Sequence, residues 1–244
     1  MRIAILADIH ANLTAFEAVL ADVKSRGGVD EYWCLGDIVG YGPDPRECIS
    51  LLQKVCKVCV VGNHDRAAAG KIDTSDFNPR AAEANEWTAK QLSLQDIRYL
   101  SNLPLTIEKS EFTLAHGSPR DPIWEYLFSV IEASENLEAF STPYCLVGHT
   151  HQPVVFTFSR FGDSKVTKLV HESEVILAEK RLILNPGGIG QPRDGDPRAS
   201  YGIYDSSIRT FTLYRVPYDI KAVQARMHEH GLPAMLISRL EVGR

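Results

Sequence analysis

Val58-Cys59-Val60-Val61 runs straight into Gly62-Asn63-His64-Asp65. A β-branched apolar run that stops at Gly and is followed by three polar, metal-capable or titratable side chains reads as a buried parallel strand opening into a site. Open α/β sheets place their chemistry at that C-terminal end. The same grammar recurs along the chain. Ile3-Ala4-Ile5-Leu6-Ala7 precedes Asp8-Ile9-His10, and Tyr32-Trp33-Cys34-Leu35 precedes Gly36-Asp37. Phe112-Thr113-Leu114-Ala115 precedes His116-Gly117, and Tyr144-Cys145-Leu146-Val147 precedes Gly148-His149-Thr150-His151. A single Asp or His in such a place is more often a buried polar group satisfied by backbone. Five in order bring oxygen and imidazole donors to one rim.

Working outward, Arg2 to Ala7 is the first strand, and Ala11 to Arg26 has helical spacing before Gly27-Gly28 ends it. Asp30 to Leu35 is a second strand, a short helix runs through Ile49 and Leu52, and Lys54 to Val61 is a third strand. This alternation favours parallel pairing with right-handed crossovers. Residues 66–102 break the pattern as a polar, Ala-rich helical insertion, with starts at Asn78-Pro79 and at Ser93 with Asp96 three residues on. It flanks the site as packing or as a substrate lid. A helix is expected over Glu132 to Phe140, and after His151 short strands dominate until a helix from Asp219 to His230. Helices early and strands late predict a second, more antiparallel sheet. No repeat, low-complexity tract or linker divides the chain, so residues 1–244 read as a single domain.

Composition narrows the classes. With 244 residues, 44% of them hydrophobic, the chain can bury one large core. No apolar run is long enough for a membrane span, and the amino terminus starts with a strand rather than a signal core, so a cytoplasmic protein is expected. A formal charge of −5 without a basic run disfavours nucleic acid as a partner, whereas a small anionic substrate fits if bound cations reverse the local field. The five cysteines are odd in number and sit mostly in apolar runs, which suits reduced structural thiols. Cys56-x-x-Cys59 has no second Cys pair to complete a zinc site.

The donors suggest their own chemistry. Asp8 and His10 are two residues apart, as are His149 and His151, and in extended chain such pairs point to one side. Carboxylate, amide oxygen and imidazole without thiolate suit Mn²⁺, Fe or Zn²⁺ rather than Ca²⁺ or an iron–sulfur cluster.

In this order, Asp-x-His, Gly-Asp, Gly-Asn-His-Asp, His and Gly-His-x-His resemble the calcineurin-like metallophosphoesterases from Asp8 to His151. Gly40-Tyr41-Gly42-Pro43-Asp44-Pro45, His116-Gly117-Ser118-Pro119 and Asn185-Pro186-Gly187-Gly188 look like a compact, single-domain prokaryotic-type branch related to diadenosine polyphosphate hydrolases and small phosphodiesterases. The resemblance implies an α/β fold, a four-layer αββα sandwich of two mixed β-sheets flanked by helices. It implies two divalent metal ions, Mn²⁺ foremost and Fe or Zn²⁺ as alternatives. Asp8, His10, Asp37 and His151 would hold one ion; Asp37, Asn63, His116 and His149 would hold the other, with Asp37 bridging. A water activated by the pair would attack phosphorus without a covalent enzyme intermediate. His64 would be the catalytic acid that assists the leaving group.

Two departures stand out. Protein-phosphatase members carry an Asp three residues after the bridging Asp to orient the catalytic histidine, and here that place is Gly40, which leaves Asp65 or a backbone carbonyl to orient His64. Ala11 precedes Asn12 where many relatives have Gly; Asn12 is kept and is expected to contact phosphate or a ligand. Arg66 and Arg193 are candidate substrate-binding residues that could clamp phosphate, with Arg198 a weaker one; the alternative is solvation, or pairing with Asp194 or Asp196. Trp124-Glu125-Tyr126 serves packing or stacks a base. The expected activity is hydrolysis of a phosphomonoester or phosphodiester of nucleotide type, such as a diadenosine polyphosphate. A protein Ser/Thr phosphatase, a non-catalytic scaffold of the same fold and a nuclease are the alternatives.

Overall fold

The computed structural model describes residues 1–158, 164–178 and 181–244. β1 (Arg2–Leu6) is apolar from Ile3 onward and is paired along both edges, which places it inside a sheet. Its parallel partner β2 (Glu31–Cys34) is reached through α1 (Leu13–Ser25), and β2 pairs in parallel with β3 (Val58–Cys59) through α2 (Pro45–Val55). On the other edge β1 meets β11 (Ala199–Asp205), followed by β12 (Thr210–Val216) and β9 (Glu174–Ile176), all antiparallel. The sheet order is β3-β2-β1-β11-β12-β9.

The second six-stranded sheet runs β4 (Thr106–Lys109), β5 (Phe112–Ala115), β6 (Tyr144–Leu146), β10 (Leu182–Pro186), β7 (Pro153–Thr157) and β8 (Lys165–Lys168). Its three inner strands are parallel and its outer pairings antiparallel, so both sheets are mixed. The second sheet is present but is no more antiparallel than the first, contrary to the sequence expectation, because the late strands divide between the two. β11, buried over its first six residues, takes an interior place between β1 and β12. The third strand is also shorter than the expected Lys54 to Val61, because α2 carries on through Val55.

Period-two alternation sorts β1 into two cores. Ile3, Ile5 and Ala7 join Trp33, Leu35, Phe112, Leu114, Leu146 and Leu184 between the sheets. Ala4 and Leu6 face the other way, onto Phe16, Val19, Ile49 and Leu52 of α1 and α2. On the far face of the second sheet, Cys145, Phe156 and Ile183 pack with Leu127, Phe140 and Ala133 of α6 (Val130–Glu135). These layers make an αββα sandwich. Residues 66–102 contribute the end of α3 (Asn63–Ala68), then α4 (Pro79–Gln91) capped by Asn78, and α5 (Leu94–Asn102) capped by Ser93. α4 packs through Ala81 and Ala84 onto α7 (Ile220–Glu229) and α8 (Ala234–Ser238). All five cysteines are free and buried. Among the described residues no helix is long and apolar enough to cross a membrane.

Trp33 lies fully buried between the sheets, edge-on to Phe112 at 5.6 Å. Trp33→Ala is expected to remove about 3–5 kcal/mol of stability, read as a lower urea midpoint. An unchanged midpoint would mean that the sheets close over the gap.

Candidate metal centre

The expected donors leave the C-terminal ends of β1, β2, β3, β5 and β6, and meet where the two sheets share a rim. The way they reach it differs from the sequence expectation. They do not alternate along extended chain: φ is +54° at Asp8, +48° at His10, +53° at Asp37, +65° at His149 and +55° at His151. Left-handed backbone costs a residue with a side chain about 1–3 kcal/mol and persists only where neighbours over-determine it. Here Asp8 N–H donates to the Gly36 carbonyl (3.1 Å), His10 N–H to Asp37 (2.9 Å) and Gly148 N–H to His116 (2.8 Å). Each kink turns a side chain inward. Gly62 serves the same end, since a Cβ there would stand 2.0 Å from Asp37 Oδ1.

Three of the imidazoles are fixed by backbone carbonyls. His10 Nδ1 lies 3.0 Å from Val39 O, His116 Nδ1 2.8 Å from Leu35 O and His151 Nδ1 2.5 Å from Gln191 O. A carbonyl only accepts, so each Nδ1 donates, and in the neutral ring Nε2 is left as a lone pair. Those lone pairs point at one another and at oxygens. His10 Nε2 and His151 Nε2 are 3.1 Å apart, with Asp8 Oδ1 at 3.3 Å from the latter. His116 Nε2 faces Asn63 Oδ1 at 3.2 Å, His149 Nδ1 at 3.1 Å and Asp37 Oδ2 at 3.3 Å. Asp8 Oδ2 and His149 Nε2 are buried without a partner. Lone pairs facing one another and carboxylate oxygens repel unless a proton or a cation stands among them, and buried imidazole with carboxylate is a donor set that fits divalent metal. Three groupings have donor atoms within 4.8 Å of one another: Asp8, His10 and His151; Asp37, His116 and His149; and His10, Asp37 and His64.

The charge balance of the bare cage says the same. Burial pushes the Asp8 carboxyl up to about 7, and burial with the Asp37 charge does likewise to Asp65. Burial opposes ionisation of Asp37 too, but His116, His64 and His10 outweigh it and hold this carboxyl well below the usual range. Burial also disfavours charge on His116, yet Asp37 raises it to about 9. His10, His149 and His151 are driven well below the ordinary imidazole range by burial, and His64 to about 4 by the same cause.

The remaining candidates divide. Asn12 does not offer a free amide: its Oδ1 caps α1 at Ala15 N–H (3.1 Å) and its Nδ2 donates to Gly190 O (3.0 Å). Arg198 pairs with Asp196, and Asp194 pairs with Arg215. Among the described residues Arg193 has no carboxylate partner; its guanidinium donates to Tyr41 Oη and Gln191 Oε1, both at 3.2 Å, and its Nε is buried without a partner. Arg66 Nε is likewise buried without a partner. Asp65 does not orient His64. Its carboxylate accepts from the amides of Ile38 (2.9 Å), Val39 (3.1 Å) and Gly62 (3.1 Å), clamping the two metal-facing loops together. The group against His64 Nδ1 is Asn85, at 3.1 Å, which sequence reasoning missed because nothing local marks one polar residue in an Ala-rich helix. Tyr126 stacks on His149 at 3.8 Å and is itself stacked on the exposed Phe128.

A two-sheet αββα sandwich thus carries a buried cluster of candidate metal-holding side chains at its rim. The chain belongs to the calcineurin-like phosphoesterase superfamily, whose domain matches residues 1–208. It is similar to a metallophosphoesterase from Sphaerobacter thermophilus known from its crystal structure, at 45% identity and a TM-score of 0.92 over 100% of this chain and 99% of that one. An uncharacterised protein of Methanocaldococcus jannaschii is 39% identical over 248 residues, 99% of this chain and 98% of its own. A symmetrical bis(5'-nucleosyl)-tetraphosphatase of Vibrio campbellii is 27% identical over 128 residues, 50% of this chain and 46% of that one.

A cation taking His116 must expel the proton it holds up to about pH 9. Apparent Mn²⁺ affinity should therefore rise with pH through the range below that value and level off above it. Calorimetry in two buffers of different ionisation enthalpy should record net proton release near pH 7.5; an affinity independent of pH would contradict the cage protonation described.

Proposed function

We propose that this chain is a metal-dependent phosphoesterase acting on nucleotide-type phosphodiesters or phosphomonoesters, with dinucleoside polyphosphates as the favoured class. The observation that carries the proposal is the convergence of buried imidazole nitrogens on one another and on the Asp8 and Asp37 carboxylates within 3.1–3.3 Å. Asp8, His10, Asp37 and His151 would hold one divalent ion and Asp37, Asn63, His116 and His149 a second, with Mn²⁺ the first candidate. The ions would supply Lewis acidity, activating water and screening charge at phosphorus. The residues around them do the rest. His64 donates a proton or hydrogen bond to the leaving-group oxygen. Arg193 and Arg66, each without a carboxylate partner among the described residues, offer guanidinium groups to the substrate phosphates. Tyr126 and Phe128 present an aromatic face beside His149, which suits a nucleobase. The partial likeness to a dinucleoside tetraphosphatase supports the same class. Five buried free thiols suit a reducing, cytoplasmic setting.

Reconstitution with Mn²⁺ followed by a panel of bis-p-nitrophenyl phosphate, p-nitrophenyl phosphate, diadenosine tetraphosphate and a phosphoserine peptide tests this reading. Turnover of the dinucleotide well above the peptide is expected; the reverse would make the chain a protein phosphatase, and a metal-replete chain inert on every ester would make it a scaffold. Metal analysis should give about two ions per chain. Asp37→Ala should bring that below one, because the carboxylate serves both positions. His64→Ala should keep the metal and lower kcat by about 10²–10⁴.

A further inference from the structure

His64 is boxed in by rings: Tyr41 at 4.4 Å, Phe77 at 4.8 Å and His10 at 5.0 Å between centroids. Its Nδ1 edge lies against the backbone at Gly40, where a Cβ would stand 2.4 Å from Nδ1. No acidic side chain can be placed at position 40 in this packing. Asp65 is occupied with three backbone amides. What faces the ring is the side-chain amide of Asn85, almost fully buried in the middle of α4.

The direction of that contact is settled by a second one. Asn85 Nδ2 is 3.1 Å from His64 Nδ1 and 3.0 Å from the His64 carbonyl oxygen. The carbonyl can only accept, so the group turned to both must be the NH₂; a flipped amide would set oxygen against oxygen. Nδ1 is therefore an acceptor, and a hydrogen on it would point at the amide's own N–H. The imidazole N–H then sits on Nε2, the nitrogen left free.

We propose that Asn85 is the positioning residue for His64, fixing its rotation and its Nε2–H tautomer so that it meets the leaving-group oxygen as a donor. The helical segment over 66–102 is on this view the holder of His64, since it supplies both Phe77 and Asn85. The role in turnover rests on the phosphoesterase reading; the tautomer does not.

Two measurements on the full chain test this. Long-range ¹⁵N–¹H correlation on ¹⁵N-histidine protein loaded with diamagnetic Zn²⁺, with His64 assigned by its loss in His64→Gln, should give the Nε2–H pattern. In Asn85→Asp it should change to Nδ1–H. In kinetics with Mn²⁺, Asn85→Ala and Asn85→Asp should lower kcat on methyl phenyl phosphate by about tenfold or more, with KM unchanged. Methyl p-nitrophenyl phosphate, whose leaving group needs little proton help, should change by less than about threefold. Adding Asn85→Ala to His64→Ala should cost nothing further. An Nδ1–H pattern in the unaltered chain, equal losses on the two esters, or additive losses in the double variant would overturn the assignment. If the Asn85 variants fail to fold, the spectrum of the unaltered chain still decides the tautomer. If the unaltered chain turns over no ester, the phosphoesterase reading falls, and the spectrum judges the Asn85 contact separately.

Discussion

Everything at the rim depends on three backbone carbonyls, those of Leu35, Val39 and Gln191. Each takes the Nδ1–H of a buried histidine and so leaves Nε2 bare and aimed inward. Had side chains of ordinary flexibility held those rings, the imidazoles could rotate and satisfy one another, and the cage would relax into a hydrogen-bonded core. Main-chain carbonyls on loops tied to β1, β2 and β10 do not rotate. The frustration is therefore built in, and only a cation or a proton relieves it.

The same loops carry the cost of this arrangement in their dihedral angles. The left-handed residues at Asp8, His10, Asp37, His149 and His151 are all donors, and Ala11 and Tyr41 beside them are left-handed as well. Such backbone survives because it is crossed by hydrogen bonds from neighbouring strand ends and clamped by Asp65, whose carboxylate joins the loop after β2 to the start of α3. Asp65 thus holds the cage without facing a metal position. Burial, with the Asp37 charge beside it, raises its own carboxyl above the ordinary range.

How much of this could be read in the sequence follows from range. The strand–donor grammar is local, and so the five strand ends, their order and the two-sheet class were legible from Asp8 to His151. The β-strand run before each donor is itself enough to set the rim. What could not be read is non-local or conformational. The return of β11 beside β1 joins residues about two hundred positions apart, and nothing in Ala199 to Asp205 names its partner. Left-handed φ at Asp8 or His149 leaves no compositional mark, since glycine is the only residue whose presence announces it. Asn12 misled because a helix cap and a phosphate ligand call for the same amide. Asn85 was invisible because its partner is 21 residues away and the helix carrying it is amphipathic by Ala.

The division between cage and surroundings also separates what this scaffold must keep from what it can vary. The metal-facing groups hang from core strands whose backbone is buried on both sides, so a change there disturbs the sandwich as well as the site. The groups that would meet substrate come from elsewhere: Arg193 from the loop before β11, Arg66 from α3, Tyr126 and Phe128 from the stretch before α6, while Asn85 of α4 stands behind His64. Among the described residues Arg193 has no carboxylate partner, since Asp194 pairs with Arg215 and Asp196 with Arg198. The nearest carboxylate in sequence, Asp194, is thus paired with a residue 21 positions on rather than with its neighbour Arg193. The register of the Ala199 to Val216 hairpin sets Arg215 beside Ser200, where it takes Asp194, so a contact between two strands decides a pairing that sequence order would assign to neighbours.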